Sequence, residues 1–222
     1  MAAKKFDEVS DRKRVEKLYE FENEVYESGY NLVAGVDEAG RGSLVGPVVI
    51  AAVILPKNFY LPKLNDSKKI SAKIREELFD EIEKVAKDIS VIKVSAEKVD
   101  ELNIYQATLQ GMKQAVKNLS VQPEFVLTDA MKLDFDGKIK TRSIIHGDAL
   151  SASIAAASII AKVTRDKMAE GWSKIYPQYG FEHNKGYGTK SHFAAIKKFG
   201  FCPLHRKTFN PVKTMLLNDS IK

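Results

Sequence analysis

The fold is decided by the stretch Leu32-Val-Ala-Gly-Val-Asp-Glu-Ala-Gly-Arg-Gly-Ser-Leu-Val-Gly-Pro-Val-Val-Ile-Ala-Ala-Val-Ile-Leu55. Residues 32–36 are largely apolar and predict a strand that ends at Asp37-Glu38. Residues 48–55 are rich in β-branched side chains and predict a second strand. The glycines and the proline between them predict a tight connection, so that two strands follow each other directly along the chain.

Outward from this stretch, helices and strands alternate. Apolar spacing predicts helices over 11–28, 71–87, 104–119 and 149–176 with a last helix ending near 199, and strands over 89–94, 125–128 and 141–145. We expect Gly29 to end the first helix and Ser71 to cap the second. This order is typical of an α/β domain in which a mixed β-sheet is flanked by α-helices on both faces.

Composition limits the function classes only loosely. The chain has 35 basic and 29 acidic residues, and its net charge of +6 permits nucleic-acid binding without establishing it. The single cysteine, Cys202, has no intrachain disulfide partner, which suits a reducing compartment. The N-terminus lacks an apolar signal core, and the longest apolar run is too short to span a bilayer. We therefore expect a cytoplasmic protein without a membrane partner.

Acidic residues stand at three predicted strand ends: Asp37-Glu38, Asp129 and Asp148. Carboxylates are hard oxygen ligands suited to Mg²⁺ or Mn²⁺, and two such ions can drive phosphodiester cleavage. One acid at a strand end is usually a turn residue or a helix cap, and Asp148 would cap the following helix well. Because adjacent side chains of a strand point to opposite faces, Asp37 and Glu38 reach one site only if the strand ends or bends there.

The glycine-rich connection from Gly40 to Gly46 matches neither a dinucleotide fingerprint nor a P-loop, because its spacing differs and a strand follows. It is either a simple tight turn or a loop whose backbone approaches a ligand, with Arg41 available for phosphate.

Several other polar residues are candidate phosphate or sugar contacts. Ser151, Ser158, Lys162 and Arg165 form one stripe of the long helix, where a solvated face is the alternative. Tyr187 lies between glycines, so its ring could lie flat on a sugar or base, or pack within the protein. Further candidate phosphate contacts, with ordinary surface charge as the alternative, are Lys68, Lys69, Lys190 and Arg206.

The ordered set of motifs resembles the ribonuclease HII family over about residues 32–215. The opening signature is 35–49, and the motifs that follow are Asn65-Asp-Ser-Lys-Lys69, Phe125-Val-Leu-Thr-Asp129, His146-Gly-Asp148, Ala155-Ala-Ala-Ser-Ile-Ile-Ala-Lys-Val-Thr-Arg-Asp166 and His183-Asn-Lys-Gly-Tyr-Gly-Thr-Lys190. The sister family, ribonuclease HIII, is expected to carry Gly-Thr-Gly where this chain has Gly40-Arg41-Gly42. One local departure is Ala130, where glycine is expected more often.

The resemblance implies a ribonuclease H-like fold with a small helical C-terminal part. It implies an N-terminal helical extension (1–30), a catalytic domain (31–180) and a C-terminal segment (181–222) that completes the substrate site. The expected enzyme is a monomer that cuts RNA–DNA hybrids and duplex DNA on the 5′ side of single ribonucleotides, leaving 3′-hydroxyl and 5′-phosphate ends.

The resemblance also assigns residues. Two ions, Mg²⁺ or Mn²⁺, are expected on Asp37, Glu38, Asp129 and Asp148. The expected substrate contacts are the backbone of Gly40, Arg41 and Gly42 at the 2′-hydroxyl, Tyr187 on the next sugar, and Lys68, Ser158, Lys162, Thr189 and Lys190. The alternatives are another two-metal nuclease, such as a type HIII enzyme or a DNA nuclease, and a binding module with a dead or structural metal site.

Overall fold

The computed structural model describes residues 6–219 and is built on one five-stranded sheet in the order β3-β2-β1-β4-β5. The strands are β1 (Val33–Ala39), β2 (Val48–Ile54), β3 (Asp88–Val94), β4 (Phe125–Asp129) and β5 (Lys140–Ile144). The pairs β1–β2 and β2–β3 are antiparallel, whereas β1–β4 and β4–β5 are parallel. The mixed sheet expected from the sequence is therefore confirmed.

Helices cover both faces of the sheet. They are α1 (Glu8–Leu18), α2 (Glu20–Glu27), α3 (Ala72–Val85), α4 (Ala96–Leu102), α5 (Ile104–Lys117), α6 (Gly147–Leu150), α7 (Ala152–Ile175), α8 (Phe181–Asn184), α9 (Lys190–Phe199) and α10 (Val212–Asp219). Within residues 6–219, none of these helices combines the length and apolar character needed to cross a membrane.

Strand β2 explains why an uninterrupted apolar run forms the centre of the fold. Val49 and Val53 pack on one face with α3 and α7, while Ile50 and Ile54 pack on the other face with α5. Both faces of the strand are therefore buried, and alternation with polar residues would place charge in one of the two cores.

Two predicted helices are each divided into two in the structure. The leading helix is divided at Tyr19, and the long helix is divided at Ser151, whose extended backbone separates α6 from α7. Helix α5 agrees with its prediction, but the sequence reading missed α4, which Ser95 caps. Asn103 separates α4 from α5 with a φ of 67° and caps α5 with its side chain.

A close contact between β1 and the start of α7 brings α6 to the sheet. A Cβ on Gly35 would lie 2.1 Å from the backbone carbon of Ser153, so only glycine allows this approach. Asp148 lies on α6, three residues before the cap at Ser151, and is thereby held beside the ends of β1 and β4.

Candidate active site

Three carboxylates converge at the carboxyl ends of two parallel strands. Val36 pairs with Thr128 across β1 and β4, so the next residues, Asp37 and Asp129, lie side by side. Asp148 joins them from α6, and one carboxylate oxygen from each of the three acids lies within 4.8 Å of the others. The sequence reading expected these acids to converge, and the structure brings them together.

Each of the two acids outside β1 has a defined partner. The Gly147 amide donates to Asp129 Oδ1 at 2.8 Å, and Lys68 Nζ donates to Asp148 Oδ2 at 3.0 Å. The long helix is capped by Ser151, whose Oγ accepts from the Ile154 amide at 3.2 Å. Asp148 is therefore not the cap of the long helix, which removes the main structural alternative for it.

Glu38 lines the same cavity as Asp37 although the two are neighbours on β1. Its Oε1 lies 3.6 Å from Arg41 Nη1. Its Oε2 is buried and has no hydrogen-bond partner among the described residues. A buried carboxylate oxygen without a donor is costly unless a cation is bound there, because it has given up water without replacement.

The carboxylates disfavour one another's charge. Burial raises the pKa of Asp37 well above its usual value, and the charges of Glu38 and Asp129 raise it further. Burial also raises the pKa of Glu38 and of Asp129. Burial alone would lower the pKa of Lys68, but its hydrogen bond and charge interaction with Asp148 raise it to about 12. Lys68 and Arg41 supply two positive charges against four acids, so the residues present fit divalent cations.

A cavity of about 440 Å³ opens from the acids and gathers most of the predicted site. It is lined by Asp37, Glu38, Ala39, Gly40, Arg41, Gly42, Ser67, Lys68, Ser158, Lys162 and Tyr187. Four residues of the predicted site lie outside this lining. Asp129 and Asp148 stand next to it, beside Asp37. The other two are Thr189, which caps α9 by accepting from the His192 amide, and the exposed Lys190 that begins α9. Lys162 Nζ is paired with Asp166 Oδ1 at 2.6 Å.

Two buried arginines shape the loop between β1 and β2. Arg206 donates to the carbonyl oxygens of Gly40 at 2.8 Å, Arg41 at 3.0 Å and Gly46 at 3.0 Å. Arg165 donates to Ser43 Oγ at 2.7 Å and to the Val45 carbonyl at 2.8 Å. Burial lowers the pKa of Arg206 to about 10. The expectation that Arg206 contacts phosphate is therefore wrong, because its guanidinium is fully buried beneath the loop.

Gly40 and Gly42 of the loop serve different purposes. Gly40 has a φ of 89°, and a Cβ there would lie 2.0 Å from Arg165 Nε. A Cβ on Gly42 would meet no described atom within 4 Å, so its surface is open to the cavity. A third position, Ala130, has a φ of 52° in the left-handed region, which accounts for the glycine expected there.

Tyr187 stands at the opposite side of the cavity on the turn between α8 and α9. Its amide donates to the Asn184 carbonyl at 2.9 Å, and its ring centroid lies 5.4 Å from Arg165 Cζ. A Cβ on the preceding Gly186 would lie 2.9 Å from Ser43 Oγ, so this turn packs closely on the Gly40–Gly46 loop. The ring itself remains partly exposed and available to a ligand.

A family model for ribonuclease HII matches residues 34–212. The chain belongs to the ribonuclease HII family. It is 51% identical over 200 residues to a ribonuclease HII of Enterococcus faecalis, a match that covers 90% of this chain and 78% of the relative.

Solved structures of similar fold agree with this family. Ribonuclease H2 from Pyrococcus horikoshii OT3 superposes with a TM-score of 0.72 at 25% identity, covering 86% of this chain and all of the other. Bst-RNase HIII in complex with Mn²⁺ superposes with a TM-score of 0.62 at 19% identity, covering 86% of this chain and 71% of the other.

The family identifies an endoribonuclease, a hydrolase that cleaves the RNA strand of RNA–DNA hybrids with divalent metal ions. The family predicted from the motifs is thus confirmed, and the non-catalytic binding module is excluded. The ribonuclease HII assignment also decides against the type HIII alternative, whose fold the chain shares.

The sequence reading missed the structural arginines and the buried histidines behind the cavity. Arg165 was recognised only as part of a polar stripe, yet it is fully buried and makes no contact with solvent. Its spacing on α7 could have suggested burial, because its neighbours Ala161 and Ala169 are core residues of the same helix. No local pattern indicates the contacts of Arg206, whose partners lie about 160 residues earlier in the chain.

Proposed function

We propose that this ribonuclease HII cuts duplex DNA at single embedded ribonucleotides as well as the RNA strand of hybrids. The observation that carries the proposal is the acidic cluster of Asp37, Asp129 and Asp148, of which Asp37 lines a cavity whose other walls are an open glycine backbone and an exposed tyrosine. The cut falls on the 5′ side of the ribonucleotide and leaves 3′-hydroxyl and 5′-phosphate ends. The enzyme acts in the cytoplasm as a monomer.

Two divalent ions, Mg²⁺ or Mn²⁺, are held in this proposal by Asp37, Glu38, Asp129 and Asp148. When bound, such ions lower the pKa of a water and stabilise the charge on the leaving oxygen of a phosphodiester. The protein's own part is to present carboxylates of fixed geometry: Gly147 orients Asp129, and Lys68 orients Asp148. The unpartnered Oε2 of Glu38 supports its place in the set.

The backbone from Gly40 to Gly42 recognises the 2′-hydroxyl, the group that distinguishes RNA from DNA. The buried guanidinium of Arg206 donates hydrogen bonds to the carbonyl oxygens of Gly40 and Arg41, which fixes the orientation of both peptide units. The open face of Gly42 lets the sugar approach closely.

Tyr187 reads the nucleotide that follows. A flat ring against the next sugar tolerates deoxyribose and is crowded by an added hydroxyl, so it favours a ribonucleotide followed by DNA. Lys68, Ser158, Lys162, Thr189 and Lys190 supply phosphate contacts along the strand. The segment 181–222, as a unit distinct from the catalytic domain (31–180) and the N-terminal extension (1–30), completes this part of the site.

The proposal is tested on three labelled duplexes: DNA with one ribonucleotide, an RNA–DNA hybrid, and all DNA. We expect cutting of the first two with Mg²⁺ or Mn²⁺, none with chelator, and none of the all-DNA duplex. The lone-ribonucleotide product should end in a 3′-hydroxyl directly 5′ of the ribonucleotide. A hybrid that is cut while the single ribonucleotide is left intact would limit the enzyme to hybrids, and cleavage of all DNA would indicate a general nuclease.

A further inference from the structure

A chain of buried hydrogen bonds runs behind Tyr187 and ends on its carbonyl oxygen. The Cys202 amide lies 3.0 Å from His205 Nδ1, and His205 Nε2 lies 3.2 Å from His192 Nε2. His192 Nδ1 then lies 2.9 Å from the Tyr187 carbonyl oxygen. Neither imidazole lines the cavity, so the function proposed above does not use them.

The shortest contacts at the two ends of this chain assign its protons. His205 Nδ1 lies 3.0 Å from the Cys202 amide nitrogen, which can only donate, and farther, at 3.3 Å, from the Cys202 carbonyl oxygen. His205 Nδ1 therefore accepts from the amide, and the His205 proton lies on Nε2. That proton is donated to His192 Nε2, which leaves the His192 proton on Nδ1. His192 Nδ1 therefore donates to the Tyr187 carbonyl, which can only accept.

The pair must also be uncharged. A second proton on His192 would lie on Nε2, against the N–H of His205 across 3.2 Å. A second proton on His205 would lie on Nδ1, against the Cys202 amide N–H across 3.0 Å. Both side chains are buried against the rings of Tyr179 and Phe181. Burial lowers the pKa of His192, and burial together with the neighbouring His192 lowers the pKa of His205 to about 4.

The segment His205-Arg206 also contacts the Gly40–Gly46 loop, which forms the wall of the cavity opposite Tyr187. His205 forms an isolated bridge with Val45, and the next residue, Arg206, holds the carbonyls of Gly40 and Arg41. One end of the segment is thus linked to Tyr187 and the other to the Gly40–Gly46 loop. The two parts of the cavity assigned to the ribonucleotide and to the following sugar share one buried support.

We propose that His192 and His205 are positioning residues for substrate selection: as a neutral pair with fixed tautomers, they set the backbone of Tyr187 relative to the Gly40–Gly42 backbone. The inference rests on the proposed junction-reading role of Tyr187. If the pair served packing alone, its loss would lower cutting of every substrate equally. As positioning residues, the histidines instead alter the preference for a lone ribonucleotide over a continuous RNA strand.

The test compares the cutting rate on a lone ribonucleotide divided by the rate on an all-RNA strand paired with DNA. His192→Leu removes the donor to Tyr187 and keeps an apolar side chain in the core. His192→Asn places an amide nitrogen near the position of Nδ1 and can still donate. Tyr187→Ala measures the effect of losing the ring, and His183→Asn is the matched control because that side chain is 88% exposed.

We expect His192→Leu to lower the ratio roughly fivefold, the change that follows from losing one hydrogen bond. His192→Asn should remain within about twofold of wild type because the donor is kept, and His183→Asn should leave the ratio unchanged. If Tyr187→Ala lowers the ratio while His192→Leu does not, the positioning role is overturned and the proposed function stands. If Tyr187→Ala itself leaves the ratio unchanged, the junction-reading role fails, and the inference fails with it.

Nitrogen-15 NMR of the imidazoles in the unmodified protein tests the arrangement even if His192→Leu does not fold. The His192 signals are assigned by their loss in His192→Asn, and those of His205 by their loss in His205→Gln. We expect His205 to be protonated on Nε2 alone and His192 on Nδ1 alone at neutral pH. Either ring in the other tautomer, or doubly protonated, would overturn the proposal.

Discussion

At the scale of single residues, the carboxylates of the site repel one another when ionised, and bound divalent cations would offset this repulsion. Asp37, Glu38 and Asp129 all have raised pKa values because they are buried close to one another. A carboxyl group whose pKa is raised by folding stabilises the folded state when it is protonated and opposes folding once it is ionised. Part of the protein's stability is therefore sacrificed to hold this cluster together.

The first prediction is that Asp37→Asn stabilises the metal-free protein while abolishing most cleavage. The stabilising contribution of protonated Asp37 is complete below its ordinary pKa of 3.8 and is lost as the pH rises through the raised folded value. In chelator at pH 7, the variant should gain about 1 kcal/mol in the free energy of unfolding, and less at pH 4. Urea unfolding at both pH values measures this gain, and a variant that is less stable than wild type at pH 7 would contradict it.

The second prediction distinguishes the roles of Gly40 and Gly42 in the β1–β2 loop. Gly42→Ala should leave the free energy of unfolding within about 0.5 kcal/mol of wild type, because its Cβ meets no described atom, yet reduce cutting at a ribonucleotide. Gly40→Ala should cost about 2 kcal/mol, since it combines a left-handed backbone with a clash against Arg165. Thermal melting and kcat/KM are measured together, and a fully active Gly42→Ala would remove this backbone from substrate recognition.

Residue identities predicted which side chains form the site better than they predicted the backbone features that position those side chains. The four acids could be chosen because each stands at a predicted strand end, and the motifs made the choice specific. The cap at Ser151 and the positive φ of Ala130 depend on the local backbone, which apolar spacing does not describe.

At the scale of elements, α2 is joined to the start of α7 by one buried acid. Glu22 Oε1 accepts from Ser151 Oγ and Ser153 Oγ at 2.6 Å each, and from the Ser153 amide at 2.9 Å. Its other oxygen, Oε2, has no hydrogen-bond partner within residues 6–219, and burial raises the pKa of the group. The N-terminal helices thus hold the junction that carries Asp148.

The third prediction concerns this junction. Glu22→Ala should lower the free energy of unfolding by about 3 kcal/mol, because three buried donors lose their acceptor. Glu22→Gln keeps an acceptor oxygen and should cost less than half as much. Glu20→Ala, at an exposed position of the same helix, is the control. Chemical denaturation measures all three, and an equal loss for Glu22→Ala and Glu20→Ala would show that the buried acid does not anchor α7.

The elements themselves were largely predictable, and their divisions were not. All five strands were predicted within one or two residues, because apolar runs bounded by turn residues are strong signals. The breaks at Tyr19 and Ser151 were missed because apolar spacing continues on both sides of each.

At the scale of the whole molecule, the net charge of +6 favours a polyanionic substrate. The fourth prediction is that Lys162→Ala flattens the dependence of hybrid binding on salt concentration by roughly one unit of log–log slope, as expected for one lost phosphate contact. Lys84→Ala is the matched control, because Lys84 is also paired with an acid on a helix but does not line the cavity. Equal slopes for both variants would assign Lys162 solely to its pair with Asp166.

The overall sheet could be derived from the sequence, but the contacts that complete the cavity could not. Arg206 and His205 reach residues near Gly40 and Tyr187 through hydrogen bonds that only the folded chain brings together. The sequence pattern does not predict such contacts, because each is made by a single side chain and does not depend on the spacing of apolar residues.

The central claim is that Asp37, Glu38, Asp129 and Asp148 hold the divalent cations required for cutting. Mn²⁺ binding, followed by the electron paramagnetic resonance signal of the free ion, tests it without relying on activity. Asp37→Asn should weaken Mn²⁺ binding at least about tenfold, the effect of losing a charged ligand oxygen. Asp80→Asn, an exposed acid on α3, should bind as wild type does. Wild-type Mn²⁺ affinity in Asp37→Asn would contradict the account.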